Sequence, residues 1–326
     1  MDEIRRIDFI QPGPVRSLAW VGDEVCDLAA GGTRFRLDGT LERATFFWGF
    51  DFDTAVSGPA GIAAVLKRRG TKALVWSGPD QVRQLNRDYY FADAFDYPLA
   101  LFTGPQGQPL LAHCPDSYRT LQLEEAGSGR RLTARRTKSP DFFHSRLAAS
   151  PSGHWLASAG WAWHPFETVL LFEVGPALAD PRRLDRTVRP PLEGEVAGIA
   201  WTVENHLLIS SLEEPTADDP AGGYQPIFKI GCFDPDSGQW CYRTDLPKVA
   251  GELLDLGDHR HVVAFDGYPR LLDARSGLAL RTWPELPTGA RASCLFDRDR
   301  QPLALDQGRA RFAVANDSTV TIIELG

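Results

Sequence analysis

Apolar positions along this chain gather in short runs separated by turns rich in Gly and Asp. One unit recurs: an apolar strand, a turn, and a second apolar strand. Its clearest copy is RLAASPSGHWLASAG (146–160), with SPSGH as the turn. Further copies are SLAWVGDEVCDLA (17–29), TAVSGPAGIAAVL (54–66), LALFTGPQGQPLLA (99–112), GIAWTVENHLLIS (198–210), LLDLGDHRHVVAF (253–265) and LALDQGRARFAVA (303–315). Their second strands start near Val25, Ile62, Leu110, Trp155, Leu207, Val262 and Phe312, so the unit repeats about every 48 residues. That length holds four short strands, the period of a β-propeller blade. A helical repeat would show 3.6-residue periodicity instead, and no long amphipathic helix is legible.

Third and fourth strands follow in most copies. PRLLDARSGLALRTW (269–283) and IFKIGCFDPDSGQWCYRT (227–244) each place an Asp- and Gly-bearing turn between two apolar strands, where local side-chain bonding and positive φ are needed. The pattern predicts an all-β chain: one domain, 1–326, a seven-bladed β-propeller of four-stranded antiparallel blades. The units are approximately 15–45, 52–87, 97–137, 145–188, 196–245, 250–286 and 290–326. The last copy runs out of chain after three strands, while IRRIDFI (4–10) has no partner of its own. Residues 4–10 are therefore expected to close the ring as the outer strand of the last blade, which removes two sheet edges. An alternative makes ASCLFD (292–297) the first strand of that blade.

SPSGHWLASAG, LLDARSG and the terminal NDSTVTIIEL carry a resemblance to the WD40 family of seven-bladed propellers in spacing and turn chemistry, over nearly the whole chain. The repeats are degenerate and lack the Gly-His and Trp-Asp dipeptides that open and close a typical WD40 repeat. The resemblance implies a propeller fold and a protein-interaction or scaffold role.

Composition narrows the function classes. The 326 residues carry a formal net charge of −8, which argues against a nucleic-acid partner because phosphate binding needs a concentrated basic surface. The one basic stretch, GRRLTARRTK (129–138), reads as an outer strand rather than an anion patch, since Leu132 and Ala134 alternate with polar neighbours. No run of about 18 apolar residues exists, so no membrane helix is expected. The N-terminus, MDEIRRIDFI, has charges where a secretory leader needs an apolar stretch, so a cytoplasmic location is expected. Cys26, Cys114 and Cys294 read as buried small hydrophobes. Cys232 and Cys241 could face each other across a hairpin and are expected as free thiols. No Cys/His cluster at zinc spacing, P-loop, dinucleotide fingerprint or GxSxG elbow is present, so neither a metal nor a cofactor is expected.

Aromatic residues supply the candidate site. In a four-stranded meander, the segment leading into the first strand and the loop between the second and third lie on one face of the disc. GWAWHPFET (160–168) is such a loop in the fourth unit, and FFWGFDFD (46–53), DYYFADAFDY (88–97) and DFFHS (141–145) lead into first strands. Trp48, Tyr89, Tyr90, Phe143, Trp161 and Trp163 are candidate exposed rings, with Asp93, His144 and His164 beside them. Tyr and Trp join apolar area to a polar handle, which suits a protein or peptide partner. Phe47, Phe50, Phe52, Phe91, Phe95 and Phe142 are assigned instead to packing between blades, as are Trp20 and Trp201.

A second reading stays open. Asp51 and His144 each stand eleven residues before the second strand of their unit, and with Asp96 they could converge at the channel mouth of a small-molecule or metal-dependent enzyme. The loop LEEPTADDPAGGYQP (212–226) places Glu213, Glu214, Asp218 and Asp219 on the same face, read as a solvated flap rather than a calcium loop. A purely structural subunit is the third reading.

Overall fold

In a computed structural model the chain forms seven antiparallel sheets, described here over residues 2–44, 46–77, 82–136, 139–162, 166–213, 226–295 and 299–326. The first strand, β1 (Glu3–Ile10), precedes blade 1, which is β2 (Ala19–Val21), β3 (Glu24–Asp27), β4 (Thr33–Arg36) and β5 (Leu41–Glu42). Blade 2 is β6 (Thr54–Ser57), β7 (Ala63–Leu66), β8 (Lys72–Trp76) and β9 (Val82–Asn86). Blade 3 is β10 (Leu99–Thr103), β11 (Pro109–His113) and β12 (Gln122–Glu125). Blade 4 is β13 (Phe142–Ala149), β14 (Trp155–Ala162) and β15 (Phe166–Glu173). Blade 5 is β16 (Gly194–Trp201), β17 (Leu207–Glu213), β18 (Ile227–Asp234) and β19 (Gln239–Leu246). Blade 6 is β20 (Leu253–Asp255), β21 (His261–Ala264), β22 (Arg270–Asp273) and β23 (Ala279–Thr282). Blade 7 is β24 (Leu303–Asp306), β25 (Arg311–Asn316) and β26 (Thr319–Leu325), completed by β1.

The seven-bladed propeller expected from the repeat is what the chain forms, and the N-terminal strand closes it. Ile7 pairs with Ile322 and Phe9 with Val320, and Phe9 is buried edge-on against Phe35 of blade 1 at 5.4 Å. The first strand of blade 7 is β24, and residues 292–295, the described part of the alternative 292–297, form no strand.

Alternation within each strand sends apolar side chains to both neighbouring blades, and one hydrophobic cluster fills each of the seven blade junctions. Each fully buried Val, Leu, Ile or Phe contributes roughly 1.5–3 kcal/mol, so these clusters hold the ring. Trp20 and Trp201 take the wedge positions expected of them. Trp201 is buried between blades 4 and 5 and donates Nε1–H to the Ala148 carbonyl at 2.9 Å, while Trp20 lies under the Arg311 guanidinium at 4.1 Å.

Blades 3 and 4 depart from four strands. Residues 130–133 run beside β12 as a short edge, with Leu132 donating to the Leu123 carbonyl at 2.9 Å and a single bridge between Glu124 and Arg131. This part of the basic stretch is thus an outer edge. Its Arg131 is forked onto Asp116 at 2.6 and 3.0 Å, and its Arg135 pairs with Asp185 at 2.9 Å. In blade 4 the fourth strand is replaced by α1 (Val174–Ala179) and a 3₁₀ turn over Pro181–Asp185, before Val188 bridges back to Leu171. Pro176 and Pro181 have no N–H to give a ladder, which is why the chain coils here.

Candidate functional site

The face that carries the segments leading into the first strands is organised around one buried arginine. Arg87 donates to the carbonyls of Gly70 at 2.7 Å, Phe95 at 2.8 Å, Asp96 at 3.1 Å and also Ala92, and its guanidinium lies 4.5 Å from the Phe95 ring centroid. Burial lowers its pKa to about 10, so it stays charged at neutral pH. The clamp fixes the loop 88–97 with Phe95 buried and Tyr89, Tyr90 and Phe91 turned out. Phe91 sits at φ +52°, a left-handed conformation unusual for a bulky residue, held where its ring meets Phe143 and Trp161 edge-on.

Beneath these exposed rings lies a stack. Phe143 is parallel to Trp161 at 4.0 Å on one side and to Tyr118 at 4.1 Å on the other, and Phe95 meets it edge-on at 5.3 Å. Tyr118 donates to Asp141 at 2.6 Å; partial burial and that carboxylate push its phenol up to about 12. Phe143 and Trp161 are a cross-strand pair of β13 and β14, so both strands run on through the segments taken from sequence as connections. GWAWHPFET is therefore the end of a hairpin: Gly160 to Ala162 belong to β14 and Phe166 to Thr168 to β15. A side chain at Gly160 would meet the Phe143 carbonyl oxygen at 2.0 Å, so only glycine permits this close approach beside the bulge between Phe143 and Arg146.

A second group of rings sits on the segment leading into blade 2. Trp48, half-buried, donates Nε1–H to the Leu28 carbonyl at 2.7 Å and packs against Phe46, Phe52 and Trp76. Phe46, Phe47 and Phe50 are exposed, Phe47 almost completely at 92%.

The candidate rings thus divide. Tyr89 and Tyr90 are exposed, with Asp93 exposed beside them. Phe143 and Trp161, expected outside, are buried because strand extension turns them into the stack. Trp163 and His164 lie outside the described residues. Phe47, Phe50 and Phe91, assigned from sequence to packing, are exposed, whereas Phe52, Phe95 and Phe142 are buried as assigned. Phe166 was not singled out and is exposed. Every large exposed aromatic among the described residues, Phe46, Phe47, Phe50, Tyr89, Tyr90, Phe91 and Phe166, lies on this one face at blades 2 to 4. The exposed aliphatics Val21, Val203 and Leu278 sit instead in or beside turns of the opposite face.

Below the face, the central channel holds a cavity of about 760 Å³ lined by Asp53, Arg68, Asp96, Arg146, Glu252 and Arg300, among others. Asp96 bonds Arg68 at 2.7 Å and Arg300 at 2.9 Å, and Glu252 bonds Arg291 at 2.6 Å. Burial alone would raise both carboxyls, yet the arginines hold each below its ordinary range. The segment that leads into blade 7 crosses the channel mouth: Arg69 donates to the Leu295 carbonyl at 2.6 Å, and the Cys294 amide donates to Glu167 at 3.1 Å. Cys294 packs with Phe95, Phe143 and Trp161.

His144, Asp51 and Asp96 do not form a catalytic constellation here; no hydrogen bond or ion pair joins them among the described residues. His144 faces the junction of blades 3 and 4, with Nδ1 3.0 Å from Ser158 Oγ and its ring against Phe142 and Phe172. Burial lowers its pKa to about 3, which keeps it neutral. Asp51 is exposed and pairs with Arg16 and Lys67, both at 3.0 Å. Of the acidic loop, Glu213 is buried against Lys229 at 2.8 Å, and Glu214, Asp218 and Asp219 lie outside the described residues.

No protein-family model matches the chain, and no curated protein matches it by sequence. Solved structures do. The β-propeller domain of Cps50 (Swd1) from Myceliophteria thermophila superposes with a TM-score of 0.59 at 12% identity, over 97% of this chain and 99% of that one. Hydrazine synthase from Kuenenia stuttgartiensis gives 0.60 at 13% identity, over 97% and 96%. The computationally designed protein Ika8 gives 0.53 at 14% identity, over 97% and 98%. The likeness is one of fold.

Proposed function

We propose that this propeller is a WD40-like recognition or scaffold module that binds a protein or peptide across the aromatic face of blades 2 to 4. One observation carries the reading: the large exposed aromatics of the described residues share a single face. A protein rarely gathers its large exposed rings on one face unless something covers them. The stack of half-buried Tyr118 with buried Phe143 and Trp161 makes a rigid floor, and Tyr90 and Phe91 stand on it as anchors that lose little freedom on binding, with Tyr89 exposed beside them. The exposed Asp93 beside the rings favours a partner offering basic or apolar groups. The propeller fold, commonly a protein-interaction scaffold, supports the same class of function.

The test is affinity capture with Phe47→Ala combined with Tyr89→Ala, beside Leu278→Ala as an exposed change on the opposite face. The double variant is expected to lose the partner that the wild type and Leu278→Ala retain, with all three melting alike. Equal capture by all three contradicts the reading.

A further inference from the structure

On the face opposite the aromatic rings, three potential metal ligands on or beside three successive strands come together at the turns of blade 5. His206 stands just ahead of β17, Cys232 lies near the end of β18, and Cys241 lies near the start of β19. One ligand atom from each lies within 4.8 Å of the others, and His206 Nδ1 is 4.0 Å from Cys241 Sγ. We propose that His206, Cys232 and Cys241 form a binding site for a thiophilic divalent cation of the zinc type.

The strand register builds the arrangement. Cys232 pairs with Tyr242 and Phe233 with Trp240, leaving Cys241 as the extra residue of a bulge. A bulge sets two residues of one strand against one of its partner and re-aims a side chain. Without it, Cys232 would sit directly opposite Cys241 in a regular ladder. With it, both thiols and the imidazole converge, and Cys232 belongs to the core cluster that fills the junction with blade 6.

The donor set selects the ion. Two sulfurs and one imidazole nitrogen suit zinc, which takes tetrahedral Cys and His ligands at about 2.3 and 2.0–2.1 Å, whereas calcium and magnesium take oxygen. A cation at those lengths needs a nitrogen–sulfur separation of about 3.5 Å, so the pair must close by roughly half an ångström. The fourth position is left to water or to Glu204, whose Oε2 is 4.0 Å from His206 Nδ1 but whose exposed carboxylate, 3.3 Å from His259 Nε2, would have to swing toward the sulfurs to bind. Binding exchanges one proton from each thiol for the cation, so two thiolates neutralise its charge and two protons leave to solvent. Cys232 is buried and Cys241 exposed, which gives the ion a route in from solvent. The cation would tie β17, β18 and β19 together at the turns of blade 5.

The test uses the full chain, reduced, stripped with a chelator, and titrated with zinc or with cobalt as its spectroscopic substitute. One equivalent per chain is expected, with the thiolate-to-cobalt charge-transfer and ligand-field bands of a tetrahedral site. Cys241→Ser and His206→Ala, both changes at the edge of the core, are expected to weaken binding at least tenfold. In the wild type, zinc is expected to slow alkylation of Cys241, the one exposed thiol, and to raise the melting temperature. That protection decides the matter even if a variant does not fold. Absence of the cobalt bands, bands unchanged in Cys241→Ser, or isolation of the reduced-buffer protein with Cys232 joined to Cys241 would overturn the proposal.

Discussion

Asp96 and Arg300, 204 residues apart in the chain, meet at 2.9 Å inside the channel, where the carboxylate also holds Arg68 at 2.7 Å. The contact ties the approach to blade 3 to the segment that crosses the mouth, and so sets the floor beneath the aromatic face. Removing the charge while keeping the shape leaves two arginines facing each other without their shared partner. Asp96→Asn is expected to cost about 3–5 kcal/mol in chemical denaturation, the range for breaking a buried pair on one side. A loss below about 1 kcal/mol would show the ion pairs to be dispensable.

Stability should fall in two stages as pH drops. His144 has a folded pKa near 3 against an ordinary 6.5, so below about pH 6.5 the unfolded chain takes up a proton that the folded chain refuses. That costs roughly 1.4 kcal/mol per pH unit until the folded pKa is reached. Asp96 and Glu252 are held below their ordinary values, so their contribution is present above about pH 4 and is lost only below it. Melting curves from pH 7.5 to about 2 should show both limbs. His144→Gln should flatten the upper limb and leave the lower one in place.

Arg87 holds its loop through the carbonyls of Ala92, Phe95 and Asp96 and ties it to that of Gly70 between β7 and β8, a geometry that the compact ammonium of lysine does not reproduce. Arg87→Lys is expected to cost about 2–4 kcal/mol by denaturation and to raise amide hydrogen exchange across residues 88–97. Partner binding should weaken with it, because the rings of Tyr89, Tyr90 and Phe91 lose their fixed orientation.

Ring closure rests on β1. Phe9→Ala empties a buried site between blades 7 and 1 and is expected to cost about 3–5 kcal/mol. Ile10→Ala, on the same strand but exposed, should change stability by less than about 0.5 kcal/mol. Similar losses in both variants would mean that β1 is held by backbone pairing alone.

The repeat was the most legible feature. Val25, Leu110, Trp155, Leu207, Val262 and Phe312 all fall in second strands, and Ile62 stands one residue ahead of β7. Period-two alternation and turn chemistry are local, so they survive without the fold. The exposed and buried rings were harder to separate because both kinds share the same short segments. Phe143 and Trp161 turn inward only because β13 and β14 extend past the expected strand ends, and Phe91 turns outward only because Arg87 clamps its loop. The convergence of His206 with Cys232 and Cys241 depends on a bulge, which linear ligand spacing does not display.

The most direct measurement of the central claim is site-specific photo-crosslinking from the aromatic face. A benzophenone side chain placed at Tyr89, and in a separate protein at Leu278, reports what lies over each face in cell extract. Adducts with one discrete protein from position 89, absent from position 278 and mapped to an apolar or basic segment, are the result expected. Adducts from position 278 with none from position 89 would contradict the account.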